Sequence, residues 1–177
     1  MTIDFKGRVA IVTGAGGGLG RAHALGLAAR GARVLVNDLG GARDGSGGSA
    51  TAAEAVVSEI RAAGGEALAN SASVTDFAAV QAMVQQAVDA WGRVDILVNN
   101  AGIQHVARIE NFPPERWDAV LAINLSSAFH ASRFALPGMQ SRNWGRILNV
   151  ASVHGLVASA WRTMASISAG LLMSAPW

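Results

Sequence analysis

Five glycines lie close together near the start of the chain, and their spacing indicates a site for a phosphate group. The segment Thr13-Gly-Ala-Gly-Gly-Gly-Leu-Gly20 follows four apolar residues, 9–12, and a pattern of helical period begins at Leu19. A helix that begins there has unpaired backbone N–H groups and a partial positive charge at its N-terminus. Gly14, Gly18 and Gly20 would let a phosphate reach this backbone, because they carry no side chain.

An acidic residue follows the next predicted strand. Residues 33–37 read as a buried strand that ends at Asp38, roughly 20 positions beyond the glycines. A carboxylate at that place accepts hydrogen bonds from the adenosine ribose and repels a 2′-phosphate. The combination predicts a dinucleotide site that prefers NAD to NADP. A simple glycine turn, with Asp38 as a solvated loop residue, remains the alternative.

The elements that position these residues alternate along the chain. Apolar runs predict strands, and residues with helical period, ended by glycine or proline, predict helices between them. The predicted strands are 9–12, 33–37, 66–70, 94–98 and 146–150, and the predicted helices are 19–30, 51–63, 76–91 and 115–136, the third capped by Thr75 or Asp76 and the fourth ended by Pro137-Gly138. Residues 39–50 read as a mobile surface loop, and 103–116 as a second loop. This order predicts an α/β fold of the Rossmann-like, doubly wound kind, a parallel sheet with helices on both faces.

Other polar residues follow predicted strands. Asn99-Asn-Ala-Gly102 lies at the end of one strand and Ser152 just beyond another. The carboxyl ends of parallel strands share one edge of the sheet, where nucleotides bind. His154 lies on the same side as Ser152 if the backbone is extended, although ordinary loop polarity also accounts for both. Asn124 lies inside the fourth predicted helix, where a tolerated polar residue is the alternative.

Composition narrows the classes of protein. A chain of 177 residues with 51% hydrophobic residues suits one folded domain. The chain has no cysteine, its net charge is only +2, and no apolar run reaches the roughly 18 residues that a membrane span requires. We therefore expect a cytoplasmic protein without a metal site, a nucleic-acid partner or a membrane partner.

The motifs at 13–20 and 99–102 together resemble the short-chain dehydrogenase/reductase family, and the resemblance covers nearly all of residues 5–159. It implies NAD as the cofactor and a set of cofactor-binding positions. These are Thr13, Gly14, Gly18, Leu19, Gly20, Asp38, Ser73, Val74, Asn100, Ala101 and Gly102. Ser73-Val74 stands where many members have Asp-Val, so that position departs from the family pattern.

Two branches of the family are recognisable. Residues up to about Gly102 resemble the hydroxyacyl-CoA dehydrogenase domain of peroxisomal-type multifunctional enzymes, and residues 101–159 resemble D-3-hydroxybutyrate dehydrogenase. The resemblance implies that Ser152 binds the reacting oxygen, and that Gln104 and His154 hold the substrate carboxylate. It also implies that Asn124 kinks its helix and holds a water of a proton relay. Both branches imply hydride transfer between NAD and a 3-hydroxy acid or 3-hydroxyacyl substrate.

The sequence departs from the family near its C-terminus. The family's catalytic tyrosine and lysine would fall on Ala165 and Ala169, and the chain has no tyrosine and a single lysine, Lys6. We expect a dinucleotide-binding domain over 1–159, a poorly ordered tail over 160–177, and a C-terminally truncated fold whose last strand is an apolar edge.

The sequence leaves three hypotheses of function open. The first is a dehydrogenase whose catalysis is severely impaired. The second is an inactive NAD-binding module, and the third is a non-functional gene fragment. The homo-oligomer that the family implies is doubtful for this chain.

Overall fold

The computed structural model describes residues 3–40, 51–152 and 163–164, and its centre is a five-stranded parallel sheet. The strands are β1 (Val9–Thr13), β2 (Arg33–Asn37), β3 (Ala67–Asn70), β4 (Ile96–Asn99) and β6 (Arg146–Asn149), in the spatial order β3-β2-β1-β4-β6. The predicted doubly wound sheet is confirmed. The predicted strands agree with the observed ones to within two residues, because glycines and polar residues flank each apolar run.

The described helices are α1 (Gly18–Ala28), α2 (Thr51–Ala62), α3 (Phe77–Trp91), α4 (Pro114–Leu121) and α5 (Ser127–Ser141). Of the two predicted caps for α3, Asp76 is the one used, since its side chain accepts a hydrogen bond from Ala79 N at 2.9 Å. Gly92 ends α3 in the left-handed conformation, with φ at +77°, a conformation that glycine adopts without steric cost.

Two apolar layers enclose the sheet. One layer contains Val12, Val34 and Val98 from the strands, packed against Ile60 of α2 and other residues of α1 and α2. The other contains Ile11, Leu35 and Leu97, packed against α3 and α5. Alternate residues of each strand enter opposite layers, as the pleat requires. Helices therefore cover both faces of the sheet.

The fourth predicted helix differs from the structure in two places. A π-helical turn at Ala122–Ser126 separates α4 from α5, and α5 continues past Pro137 to Ser141. Proline removes one backbone donor and normally ends or kinks a helix. Here Ala131, Ala135 and Met139, spaced four residues apart, are all buried against the sheet, so packing keeps the helix continuous. The prediction that Pro137-Gly138 ends this helix is wrong.

A small second sheet lies outside the main one. Strand β5 (Val106–Ala107) pairs antiparallel with β7 (Thr163–Met164), so the predicted loop over 103–116 contains a short strand and a 3-10 turn at Ile109–Asn111. In the main sheet of the described residues β6 is an outer strand, and Leu148 is 47% exposed. Residues 41–50 of the predicted loop 39–50 and most of the predicted tail lie outside the described residues. No helix in the described ranges is both long and apolar enough to span a bilayer.

Candidate functional site

The glycine-rich turn between β1 and α1 packs main chain against main chain. Gly14 and Gly18 have positive φ angles of +62° and +52°, which residues with a Cβ rarely adopt. A Cβ at Gly14 would lie 2.8 Å from Ala101 Cα, and a Cβ at Gly20 would overlap the carbonyl oxygen of Gly14. The turn therefore packs closely against the loop after β4, with no space for side chains at Gly14 and Gly20.

Thr13 and Asn100 fasten the same two segments together. The Thr13 hydroxyl accepts hydrogen bonds from the backbone N–H groups of Asn100 and Ala101, each at 3.1 Å. The Asn100 side-chain amide donates to the carbonyls of Thr13 and Gly14 at 2.9 and 3.0 Å. Both residues were predicted to bind cofactor, and that role stays a prediction. Their side-chain contacts in the structure are within the protein.

The start of α1 fits an anion. Gly17 at the N-cap makes no side-chain capping bond, and no acidic residue lies in the first turn. The first N–H groups of a helix have no partner within the helix, and here the glycines keep side chains away from them. Leu19 is 66% exposed beside this turn. Uncapped amides at the end of a buried strand are the arrangement that binds a pyrophosphate.

Asp38 follows β2 at the same edge of the sheet and is held by the main chain. One carboxylate oxygen accepts a hydrogen bond from Gly16 N at 2.7 Å, and the other accepts from Gly40 N at 2.6 Å. The sequence predicted Asp38 but not the part of Gly16, which lies 22 residues earlier. A carboxylate oxygen can accept more than one hydrogen bond, so this geometry leaves acceptor capacity for a ligand hydroxyl.

The loop after β3 contains Ser73 and Val74, the residues predicted to lie near the adenine. The hydroxyls of Ser73 and Thr75 are 2.8 Å apart. His130 of α5 places its Nδ1 atom 3.4 Å from the Val74 carbonyl, and its ring packs edge-on against Phe77. Helix α5 thus contacts the loop after β3 through His130.

Asn124 lies in the π-helical turn between α4 and α5 and holds the loop after β4. Its Oδ1 accepts from Ile103 N at 2.9 Å, and its Nδ2 donates to Ile103 O at 3.0 Å. The helix is distorted at Asn124, as the family resemblance implies. The predicted water of a proton relay stays a prediction. Asn124 also adjoins Gly102, where a Cβ would lie 3.4 Å from its Oδ1 atom.

Of the remaining predicted residues, the structure describes Gln104 and Ser152. Gln104 is an exposed residue next to Ile103. Ser152 lies three residues beyond the end of β6, whose Asn149 is in register with Asn99 of β4, so Ser152 and Gln104 follow neighbouring strands at one edge. His154, Ala165 and Ala169 lie outside the described residues.

Comparison with known proteins decides the family. The family model for short chain dehydrogenases matches residues 8–169. The chain belongs to the short-chain dehydrogenase family. The match extends ten residues past the predicted boundary at residue 159.

Several members of this family are closely similar to the chain. D-beta-hydroxybutyrate dehydrogenase of Cupriavidus necator is 50% identical over 160 residues, which are 89% of this chain and 58% of that protein. Peroxisomal multifunctional enzyme A of Dictyostelium discoideum is 47% identical over 156 residues, 88% of this chain and 35% of that enzyme. Both branches named from the sequence are thus found, each along most of the chain. This chain spans little more than half of the first relative and about a third of the second.

A solved structure shares the fold. The 7 alpha-hydroxysteroid dehydrogenase complexed with NADH and 7-oxo glycochenodeoxycholic acid superposes with a TM-score of 0.80 at 33% identity, covering 88% of this chain and 57% of that one. This similarity agrees with the parallel sheet and the flanking helices described above.

Sequence reasoning missed a row of polar residues that crosses this short-chain dehydrogenase sheet. Each of the five strands ends in threonine or asparagine. These terminal residues are paired in register between neighbouring strands, except that Thr13 and Asn99 each lie one residue beyond the last pair between β1 and β4. Their names, in spatial order, are Asn70, Asn37, Thr13, Asn99 and Asn149. The asparagine that follows four of the five apolar runs was a signal in the sequence that could have revealed the row.

The amides of this row bond to each other and to the helices of one face. Asn37 Nδ2 donates to Asn70 Oδ1, and Asn99 Nδ2 donates to Asn149 Oδ1, both at 2.8 Å. Asn70 Nδ2 also donates to Gln86 of α3 at 2.8 Å. Because buried amides are costly when unpaired, these bonds fix the level at which neighbouring strands end. The loops that form the site begin directly above this row.

Proposed function

We propose that this chain binds NAD at the carboxyl edge of its sheet and that its reaction is hydride transfer between NAD and a 3-hydroxy acid or 3-hydroxyacyl substrate. One observation carries the proposal. The uncapped start of α1, the glycine turn that admits no side chain at Gly14 and Gly20, and Asp38 lie together at one edge. This arrangement matches a pyrophosphate and an unphosphorylated ribose.

Different parts of the cofactor would contact different described residues. The amides at Gly18 and Leu19 would bind the pyrophosphate, and Asp38 would accept hydrogen bonds from the adenosine ribose. The loop at Ser73 and Val74 would adjoin the adenine. The segment 99–102, at the end of the central strand β4, would line the adenosine side of the cofactor groove, as the family resemblance implies. When bound, NAD supplies the hydride acceptor.

The names of the relatives support the substrate class. D-beta-hydroxybutyrate dehydrogenase and the peroxisomal multifunctional enzymes are similar to this chain along 87–89% of its length. Gln104 and Ser152 lie at the edge where a small hydroxy acid would meet the nicotinamide. We assign Ser152 to the reacting oxygen, and Gln104 and His154 to the substrate carboxylate. Asn124 positions the loop that contains Gln104 through its two bonds to Ile103.

The chain lacks the residues with which the family transfers the proton in this reaction. The positions of the family's tyrosine and lysine hold Ala165 and Ala169. A positioned acid or base contributes typically about 10²- to 10⁴-fold to the rate, and the hydroxyl of Ser152 is too weak an acid to replace it. These alanines favour a second candidate function, an NAD-binding module without catalysis. The cytoplasmic location, the doubtful homo-oligomer and the lack of nucleic-acid or membrane partners stay predictions from the sequence.

Calorimetric titration of the folded chain with NAD and with NADP tests the proposal. We expect NAD to bind more tightly, and Asp38→Asn to reduce the NAD preference by removing the charge that repels a 2′-phosphate. Asp89→Asn is the matched control, because Asp89 lies on α3 and bonds only to Gln85 among the contacts described. A folded chain that binds neither dinucleotide, or that prefers NADP, contradicts the proposal.

An assay of NADH formation with 3-hydroxybutyrate then separates the two candidates. Slow turnover that depends on Ser152 supports the dehydrogenase. NAD binding without turnover supports the binding module.

A further inference from the structure

We infer that Gly16, by holding Asp38 in place, determines how strictly this chain discriminates between NAD and NADP. This inference rests on the proposed NAD binding. Gly16 lies between the Asp38 carboxylate and the first turn of α2. Its N–H donates to Asp38 Oδ2 at 2.7 Å, while Gly40 N donates to Oδ1 at 2.6 Å from the other side. The carboxylate is thus held between two main-chain donors.

The space around Gly16 admits no side chain. A Cβ there would lie 2.7 Å from Ala52 Cβ, 2.8 Å from Asp38 Cγ and 2.9 Å from Asp38 Oδ2. Heavy atoms that are not bonded to each other do not pack this closely. Ala52 belongs to a helix, and Asp38 is fixed by two hydrogen bonds, so neither neighbour can move at no cost. A methyl group at residue 16 would therefore displace the Asp38 carboxylate.

Displacement of this carboxylate changes selectivity more than general affinity. Asp38 offers acceptors to the ribose hydroxyls of NAD and a negative charge against the 2′-phosphate of NADP. The amides at the start of α1, which would bind the pyrophosphate common to both dinucleotides, lie beyond Gly17. A side chain at residue 16 should thus weaken NAD binding and relieve the repulsion of NADP. Gly16 acts through Asp38 and is a positioning residue.

The adjacent glycine is the matched control. A Cβ at Gly17 meets nothing within 4 Å, and its φ of −163° is extended backbone that any residue adopts. Gly16→Ala and Gly17→Ala therefore add the same methyl group at adjacent residues. The methyl group collides with its neighbours at residue 16 and meets no neighbour at residue 17.

Calorimetric titration with NAD and NADP on the original chain and both variants tests the inference. We expect Gly16→Ala to lower the NAD to NADP affinity ratio by about tenfold or more, the scale of a lost hydrogen bond to a charged group. We expect Gly17→Ala to keep the ratio. An unchanged ratio in Gly16→Ala, or an equal fall in both variants, would overturn the inference. If the original chain itself fails to prefer NAD, the proposed function fails first, and the inference fails with it.

Two further variants separate selectivity from folding. Gly16→Ala combined with Ala52→Gly removes the collision with α2 and leaves the collision with Asp38, so the ratio should stay lowered although the melting temperature recovers. A ratio that returns to the original value would instead attribute the effect to α2 and overturn the inference. In an Asp38→Asn background, Gly16→Ala should leave the ratio unchanged, because residues that act as a unit are not additive.

Discussion

The two ends of the parallel sheet differ in the polar groups they contain and in how those groups are paired. At the amino end, the carboxylate of Asp95 is completely buried and contacts three arginines. Its Oδ1 atom lies 2.6 Å from Arg93 Nη2, 3.6 Å from Arg8 Nη1 and 3.9 Å from Arg142 Nε, and its Oδ2 accepts from Val9 N at 3.0 Å. At the carboxyl end the sheet presents neutral amides and bare glycine backbone, and the carboxylate of Asp38 accepts its hydrogen bonds from main-chain N–H groups.

At the amino end, Asp95 is paired within the protein, although the buried Nε atom of Arg142 has an ion-pair contact with Asp95 and no hydrogen bond among the described residues. The guanidinium of Arg8 lies 3.6 Å from the centroid of the Trp144 ring and also forms an ion pair with Asp95. Cation–π stacking and ion pairing thus occupy this arginine. At the start of α1, by contrast, the first amides have no side-chain cap. Polar groups paired within the chain contribute to stability, whereas uncapped amides are available to a ligand.

Removal of Asp95 is expected to have the largest effect on stability. Asp95→Ala leaves three arginines and a backbone N–H without their buried partner. Breaking a buried ion pair in this way costs about 3–5 kcal/mol. The free energy of unfolding, obtained from urea denaturation, measures the loss. NAD affinity of the folded fraction should change little, because Asp95 lies at the other end of the sheet.

Asp89→Ala is the control for this prediction, since it removes an aspartate from the exposed part of α3. Surface substitutions usually change stability by less than about 0.5 kcal/mol. If Asp95→Ala unfolded no more easily than Asp89→Ala, the amino end would not have the stabilising role assigned to it.

Gly20→Ala is expected to have an intermediate effect and to act on both stability and binding. Its Cβ would overlap Gly14 O and lie 2.5 Å from Asn100 Nδ2, so the turn and the loop after β4 must separate. Overpacking of this kind costs about 1–3 kcal/mol. We expect calorimetry to show NAD affinity reduced by about tenfold or more, because the amides at the start of α1 move with the turn.

Gly26→Ala provides the comparison within the same helix. A Cβ at Gly26 would have Arg30 Nη1 as its nearest neighbour, at 3.7 Å, which is ordinary contact. Alanine in a helix interior is more stable than glycine by about 0.5–1 kcal/mol. A gain in stability with unchanged NAD affinity is expected. Equal losses of affinity in both variants would argue against a specific role for the close packing at Gly20.

Much of the fold follows from local sequence patterns. Apolar runs between glycines gave the five strands of the main sheet, and Gly92 gave the end of α3. Pro137 misled the prediction, because the burial of Ala135 and Met139 on either side of it is a tertiary effect. The segment Val94-Asp-Ile-Leu-Val98 was read as an apolar strand, and the charge of Asp95 was overlooked. Two of its three arginine partners, Arg8 and Arg142, come from distant parts of the chain, and only Arg93 lies beside it in sequence.

The candidate site was predicted in part. The glycines, Asp38 and the 99–102 segment come to one edge of the sheet, because the order of the strands determines where their ends meet. The hydrogen bond between Gly16 and Asp38 was not predictable from spacing alone. It depends on how closely the turn after β1 approaches the end of β2, and neighbouring residues do not encode that distance.

The smallest effect is expected for an exposed ion pair between helices α1 and α2. Arg21 of α1 donates through its Nε to Glu59 of α2 at 3.1 Å, and both side chains are 44% exposed. The hydrogen bond from Arg21 to Glu59, with the charge of Glu59, raises the pKa of Arg21. A raised pKa stabilises the folded state below the ordinary pKa of the group, and that stabilisation is lost only as pH rises through the folded-state value. For an arginine this loss falls in strongly alkaline solution, so no dependence on pH is expected near neutrality.

Glu59→Gln should therefore leave the melting temperature within experimental error at low and at high salt, since solvent and ions screen an exposed pair. Thermal denaturation at two ionic strengths measures this. A drop close to that of Asp95→Ala would mean that burial does not decide which charges stabilise the sheet, and the contrast between its two ends would then need another cause. A negligible drop would locate the stabilising charges at the amino end, because the buried carboxylate of Asp95 is enclosed there by the arginines that neutralise it.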